Sequence, residues 1–458
     1  MHGVMGIISK DRDGQCVGRM YQGLYELMSR GQVYGGMATA NGREITKIRT
    51  HRGLVIDTFA EDLDGLDGHL GLGVTSNVDR QPILCELTNV GSFVVGMDGY
   101  ITNGAELRRK LLRQGCIFPT GEDVELLATI INQGTDLPDG IRGALERIEG
   151  PLAFTVMTPE AIYAARGIDG GAPLIAGEGG DGMIVASESC GFTYDRGWEI
   201  LRDIRPGEAV RLMPDGMESL FRIEGEVRFC IFNWAYYGRY DSVIDGVHVS
   251  VARDIFSGIL AEGDDFGEGY YVAPIPFSGI GHAQGYHLKS RLPLVQAYLP
   301  PQYRRRTYNL PIWLRIPEKA RKLRVIKENV AGRKLVILDD SIRAGITIKD
   351  EIYELHRVGA VEVHVRIGSP PSIRYCPRAR PPTKEEDFLA SSMSVAEICT
   401  FINADSLRYV PLDRVCEAIK SPPEDVSWLE QQKAVIPCEE NLCVACFLKS
   451  GYYLRDAA

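Results

Sequence analysis

Leu335-Val-Ile-Leu-Asp-Asp-Ser-Ile-Arg-Ala-Gly-Ile-Thr347 runs four apolar residues into two adjacent aspartates and then into a short loop of small and hydroxyl side chains. The apolar run predicts a buried strand over residues 335–338, and the periodic residues that follow predict a helix over 348–358. A second apolar run covers 361–367, so strand, helix and strand succeed one another at the spacing of a βαβ unit in a parallel sheet. Two carboxylates at the C-terminal end of such a strand stand where open α/β sheets bind ligands. Ser341, Gly345 and Thr347 supply hydroxyl and backbone donors at a helix N-terminus, a geometry that holds phosphate. Carboxylates beside a phosphate repel it unless they bind something else, such as sugar hydroxyls, directly or through a divalent cation. The combination points to a phosphorylated sugar. The plainer alternative is a strand followed by a capped helix, with Asp340 or Ser341 at the N-cap.

Upstream, residues 269–275 read as a further strand, and the alternation of strand and helix begins at about Phe229. Before the turns Arg205-Pro-Gly207 and Met213-Pro-Asp-Gly216 the texture differs. Short apolar runs are broken by glycine there, as in Gly91-Ser-Phe-Val-Val-Gly96, Ala153-Phe-Thr-Val-Met157 and Gly182-Met-Ile-Val-Ala186, with amphipathic helices predicted over 18–29 and 124–133. Pro370-Pro371 and Pro381-Pro382 bracket a predicted exposed loop, and Ser421-Pro-Pro-Glu-Asp marks a second.

The chain has 458 residues, which at ~150 residues per domain suggests two or three domains. Hydrophobic residues make up 45% and charged residues 24%, the balance of an ordinary globular protein. No apolar stretch approaches the ~20 residues of a membrane span, and the first residues form no signal segment, so a cytoplasmic protein is expected. Fifty-one basic against 61 acidic residues leave a net charge of −10, which excludes a global positive field for nucleic acid. Eleven cysteines scattered from Cys16 to Cys446 fit a secreted disulfide framework poorly. The one tight pair, Cys443-Val-Ala-Cys446, is by itself as compatible with a structural role as with metal binding.

The segment from Val336 to Thr347 resembles the ribose-5-phosphate fingerprint of type I phosphoribosyltransferases, which use 5-phosphoribosyl-1-pyrophosphate (PRPP). More narrowly it resembles that of the glutamine PRPP amidotransferases, roughly VLVDDSIVRGTT. The stretch from Cys230 to His248, Ala404-Asp-Ser-Leu-Arg-Tyr409, and Pro274-Ile-Pro-Phe-Ser-Gly279 with Gly285-Tyr286 are similar to further family segments, the last to its pyrophosphate loop. Ser29-Arg-Gly-Gln32 and Ala186-Ser-Glu-Ser-Cys190 resemble glutaminase motifs. The resemblance implies an α/β protein with an N-terminal Ntn-hydrolase-like αββα sandwich over 1–228, a degenerate class II amidotransferase domain. A type I phosphoribosyltransferase parallel-sheet domain with a C-terminal cluster-binding segment would follow over 229–458. It also implies a homo-oligomer and, since Cys230, Cys376, Cys443 and Cys446 match the ligand positions of one branch, a [4Fe–4S] cluster. The alternative there is four buried thiols.

Three departures bear on chemistry. An Ntn glutaminase needs an N-terminal cysteine with its own amine as base, and this chain has His2. The family's GHVRYST is shortened to Gly73-Val-Thr-Ser-Asn-Val-Asp-Arg80, where nothing in the spacing requires Arg80 to substitute for the lost arginine. The oxyanion-hole Asn-Gly becomes Asp98-Gly99, an anion where a donor is needed. Glutaminase activity is therefore expected to be absent. In the coupling loop, where the family reads about KNRYVGRTF, Pro300-Pro-Gln-Tyr-Arg-Arg-Arg-Thr-Tyr308 keeps Arg306-Thr307 but loses the leading Lys-Asn-Arg; Arg304, Arg305 and Arg306 are expected to clamp pyrophosphate, against the alternative of a solvated charge run. Arg343-Ala344 stands for Val-Arg in the fingerprint, Ile346 for threonine, and Phe277 for an aspartate.

Together these imply PRPP-dependent transfer to a nitrogen nucleophile, with Asp339 and Asp340 on the ribose hydroxyls and Mg²⁺ and residues Ser341, Arg343, Ala344, Gly345, Ile346 and Thr347 around the 5-phosphate. Ser278, Gly279 and Arg304, Arg305 and Arg306 would hold the pyrophosphate. Glutaminase-deficient relatives in nucleoside-antibiotic pathways resemble this chain and attach PRPP to 7-deazapurines of the tubercidin and toyocamycin type, which makes a heterocyclic base the expected acceptor. Phe277, Tyr303 and Tyr308 are its expected aromatic walls, with phenylalanine in the core as the alternative for the first. Free ammonia, a non-catalytic PRPP-binding regulator and an Fe–S redox protein are the rival readings.

Overall fold

The computed structural model describes residues 2–11, 16–59, 62–86, 88–195, 197–300, 323–380, 388–419 and 437–456. The first half stacks two antiparallel sheets. Seven strands lie in the order Trp198–Asp203, Ile175–Gly179, Gly182–Ala186, His2–Ser9, Leu70–Ser76, Tyr34–Ala40 and Ile45–Arg52. Six more run Gly216–Arg222, Glu208–Met213, Ile162–Arg166, Leu152–Met157, Phe93–Gly99 and Ile83–Cys85. Period-two alternation decides which face each side chain serves. In His2–Ser9, Val4 and Ile8 enter the core between the sheets with Leu72, Ala153 and Val210, while Met5 and Ile7 pack outward on Met20 and Leu24 of the helix Val17–Glu26. The second sheet's outer face carries Phe93, Val95 and Phe154 against the helices Gly104–Arg113, Asp123–Ile131 and Leu137–Arg147. The last begins where Asp136 accepts the Asp139 N–H at 2.8 Å, with a proline in its first turn. This is the expected αββα sandwich.

The second half is built on a four-stranded parallel sheet, Tyr270–Pro274, Lys334–Asp339, Glu362–Ile367 and Ser406–Tyr409 in that order. The strand Lys334–Asp339 is apolar over Leu335, Val336, Ile337 and Leu338 because both its faces are covered. Leu335 and Ile337 face the helices Ile346–Val358 and Val395–Ile402, and Val336 and Leu338 face Val249–Glu262 and Gly279–Ser290. The expected parallel-sheet transferase fold is thus present.

Buried charge joins the halves. Arg166, fully buried, pairs both guanidinium nitrogens with Asp245 at 2.6 and 3.0 Å. Glu188, also fully buried, accepts from Arg30 at 2.5 Å, from the Arg239 backbone at 2.8 Å and from Ser242 at 2.8 Å. Among the described residues no helix is long and apolar enough to cross a membrane.

Candidate active site

The four parallel strands end on one side, and register sets Asp339, Ile367 and Tyr409 in one row at that edge. Asp339 is partly exposed and Asp340 buried. Ser278 donates to Asp339 Oδ1 at 2.7 Å, the Asp340 N–H donates to the same oxygen at 2.9 Å, and Ser341 donates to Asp340. Removal from water and, for Asp339, repulsion by its neighbour hold both carboxyls above their usual range, with the serines pulling the other way. Such a pair gains from any cation or set of hydroxyls that stabilises the charge.

The helix after this strand starts later than a cap at Asp340 or Ser341 would require. Its N-cap is Gly345, at φ 66°, and no side chain caps it, which leaves the first N–H groups of Ile346–Val358 without a side-chain acceptor. Gly345 is required twice over: by its left-handed backbone and because a Cβ would stand 2.5 Å from Leu389 Cδ1. Gly279 is required by proximity, since a Cβ there would lie 2.1 Å from the Leu338 carbonyl oxygen. That approach lets Ser278 reach Asp339 and brings the two loops to one place.

Ser278, Gly279, Asp339, Asp340, Ser341 and Gly345 are therefore gathered at one edge. Ala344 lies in the same loop, with Thr347 and the 51%-exposed Ile346 at the helix start. Phe277 is 59% exposed, so it does not fill core. Arg343 turns its guanidinium to the rings of Tyr375 and Phe388, 5.4 and 5.1 Å from their centroids. Tyr303, Arg304, Arg305, Arg306 and Tyr308 lie outside the described residues, as do parts of both proline-marked loops. Arg253 escaped the sequence reading. Buried in Val249–Glu262, it donates to the carbonyls of Trp234, Tyr236 and Gly238 and adds positive charge near Asp340. An arginine in an otherwise apolar helix face was the available signal.

A second polar centre surrounds His2. Its backbone N–H donates to Asp98 Oδ1 at 2.7 Å, and Arg30 donates to Asp98 Oδ2 at 2.6 Å and to the His2 carbonyl at 2.9 Å. His2 Nε2 stands 4.0 Å from Asp79, which Arg380 also contacts at 3.0 Å. Burial and nearby positive charge keep the imidazole neutral well below its usual pKa. Arg80 is exposed, and its backbone N–H donates to Glu122. Cys190 touches Glu188, which also accepts from Arg30, and burial, with that carboxylate beside it, raises its thiol well above the usual value.

The cysteines form a third group. Cys230 and Cys443 are register partners in a short parallel pairing of Phe229–Cys230 with Leu442–Cys443, and the Ile373 N–H donates to the Cys446 carbonyl at 2.9 Å. The Cys446 thiol donates to Cys376, whose own pKa falls to about 6, while burial and the neighbouring sulfurs raise Cys230 to about 12. Among the described residues no group of three or more His, Cys, Asp or Glu side chains is arranged to hold a metal ion.

Two acids, a serine bridge and an uncapped helix start on a parallel sheet, joined to an Ntn-type sandwich, define a phosphoribosyltransferase of the amidotransferase kind. A glutamine amidotransferase domain matches residues 69–193. Amidophosphoribosyltransferases of Archaeoglobus fulgidus (33% identity, 92% of this chain and 94% of the relative) and Bacillus subtilis (32%, 97% and 92%) align nearly end to end. The solved B. subtilis glutamine PRPP amidotransferase, complexed with ADP and GMP, superposes with a TM-score of 0.85 at 30% identity over 98% of this chain and 97% of that one. The chain belongs to the amidophosphoribosyltransferase family. It is accordingly a glycosyltransferase that carries out PRPP-dependent phosphoribosyl transfer.

Proposed function

We propose that this enzyme transfers the phosphoribosyl group of PRPP to a ring nitrogen of a planar heterocycle of the 7-deazapurine class, and that it does not hydrolyse glutamine. One contrast carries the reading: the adjacent acids Asp339 and Asp340 stand at the strand ends beside Ser278 and an uncapped helix start, whereas the position of the lost nucleophile is filled by the His2, Asp98 and Arg30 network. No thiol stands at residue 2, and the Cys190 thiol is too strongly held as the protonated form to replace it. Asp98, paired with Arg30, offers an anion where a developing oxyanion needs a donor.

In the transfer, the nitrogen lone pair attacks C1 of PRPP as the C1–O bond to pyrophosphate breaks. The electron pair departs with pyrophosphate, and the nitrogen's proton passes to solvent. Asp339 and Asp340 hold the ribose hydroxyls and stabilise positive charge at C1. The N–H groups and hydroxyls of Ser341 and Arg343 through Thr347 seat the 5-phosphate. Ser278 and Gly279, with Arg304, Arg305 and Arg306, take the pyrophosphate. Asp339 and Asp340 would hold Mg²⁺, which when bound would neutralise charge on the departing group. Positioning and electrostatics account for the catalysis. Phe277 offers the acceptor an exposed ring, and bare ammonia gains nothing from such a face; Tyr303 and Tyr308 are the further candidates for the acceptor wall.

A [4Fe–4S] cluster, if bound, would be held by the four thiols Cys230, Cys376, Cys443 and Cys446 and would tie their three chain segments together. A homo-oligomer, and a division of the chain at residues 228 and 229, complete the proposal.

The test is a pyrophosphate-release screen of PRPP with 7-deazapurines, purines and ammonium. Release with a deazapurine is expected, and Phe277→Ala should raise the KM for that base several-fold, a stacking face being worth ~1 kcal/mol. Release with ammonium alone, unchanged in Phe277→Ala, would replace base transfer by ammonia-dependent phosphoribosylamine synthesis.

A further inference from the structure

Arg343 stands in the phosphate loop, where a free guanidinium would ordinarily be read as a ligand for the anion. Its side chain points elsewhere. The guanidinium carbon lies 5.4 Å from the Tyr375 ring centroid and 5.1 Å from that of Phe388, and the two rings meet edge to face at 4.9 Å. Phe388 is 8% exposed, so one of the two faces is fixed by the core rather than by solvent. Two further contacts join the same segments. The Leu389 N–H donates to the Arg343 carbonyl at 3.1 Å, and the Leu389 side chain fills the space beside Gly345 so closely that a Cβ there would stand 2.5 Å from it. One wall, made of Tyr375, Phe388 and Leu389, thus grips the loop at its main chain, its glycine and its arginine.

We propose that Tyr375 and Phe388 are positioning residues for phosphoribosyl transfer. They clamp Arg343 and thereby hold the 341–345 loop in the shape whose N–H groups meet the 5-phosphate. Arg343 contributes its backbone to the phosphate seat and its side chain to the clamp. Ile342 in the core and the Ser341 hydroxyl on Asp340 hold the start of the loop, while no side chain caps the helix that follows it and Arg343 itself is exposed. A cation over two ring faces adds a restraint on the form of the loop. The inference rests on the reading of this loop as the phosphate seat.

The experiment measures KM for PRPP and kcat by pyrophosphate release, together with PRPP binding by calorimetry, in the full-length protein. Tyr375→Ala, Phe388→Ala and Arg343→Ala should each raise the PRPP KM and Kd by roughly three- to tenfold with kcat within about twofold, the scale of a lost cation–π contact. Tyr375→Phe, which keeps the ring, should match the unaltered protein. The double variant Arg343→Ala/Tyr375→Ala should be no worse than either single one, because the two act as a unit. A merely structural role would lower the melting temperature and the active fraction and leave KM alone; that outcome overturns the clamp. So does a large rise in KM for Arg343→Ala with none for Tyr375→Ala, which would make Arg343 a direct phosphate ligand. Absence of PRPP binding by the unaltered protein would instead overturn the reading of the site, and the clamp with it.

Discussion

At the residue scale the decisive pair is Asp339 and Asp340. Their carboxyls are held above the usual range by burial, and Asp339 also by its charged neighbour, so in the free enzyme they weaken the fold in exchange for a ligand-ready charge. The sign follows from linkage. A carboxyl with a raised folded pKa binds more protons in the native state, so its contribution to stability is fully present below the unfolded pKa and is lost as pH rises through the folded value. Asp340→Asn should therefore gain stability relative to the unaltered protein as pH rises from about 4 toward neutrality, measured by urea unfolding at several pH values without PRPP. The same change should lower PRPP turnover by ~100-fold or more, as loss of a transition-state contact does. A variant equally active and no more stable at neutral pH would remove these aspartates from the site.

At the element scale, the strand that ends in these acids and the two close approaches beside it make the site. The run 335–338 was legible because a strand buried on both faces must be apolar throughout, and the structure extends it only to Lys334–Asp339. The strand read at 91–96 begins instead at Phe93, because Gly91 takes φ 91° as a turn residue. The helix read at 348–358 starts two residues earlier, at Ile346, since a glycine rather than a side chain begins it. Other features could not be read. The Gly279 approach to Leu338 and the turning of Arg343 onto Tyr375 and Phe388 depend on tertiary neighbours that no local pattern encodes, and the ion pair of Asp98 with Arg30 joins residues 68 positions apart. Gly279→Ala should cost ~1–3 kcal/mol in urea unfolding, the range of an overpacked contact, because backbone blocks the new methyl. By displacing Ser278 from Asp339 it should also raise the PRPP KM. Retained stability and KM would mean that this helix can shift without consequence.

At the scale of the whole molecule, the halves are joined by buried charge, Arg166 with Asp245 and Glu188 with Arg239 and Ser242. Arg378 pairs with Asp169 of the sandwich and lies near the Cys230 and Cys443 sulfurs. Anaerobically purified protein should carry about four iron atoms per chain, one [4Fe–4S] cluster. Cys443→Ser should lose the iron and lower the melting temperature by several degrees, since a few kcal/mol of cross-linking would go with it. Full iron content in that variant would show the ligand set to be wrong. The sandwich persists with His2, Asp98 and Arg30 hydrogen-bonded together at the start of its first strand, so the molecule keeps the architecture of an amidotransferase. The most direct measurement offers PRPP together with a 7-deazapurine and amide-¹⁵N-labelled glutamine, and follows products by mass spectrometry. The account predicts a deazapurine ribonucleotide and pyrophosphate in equal amounts, no glutamate and no ¹⁵N in any phosphoribosyl product; labelled phosphoribosylamine accompanied by glutamate would contradict it.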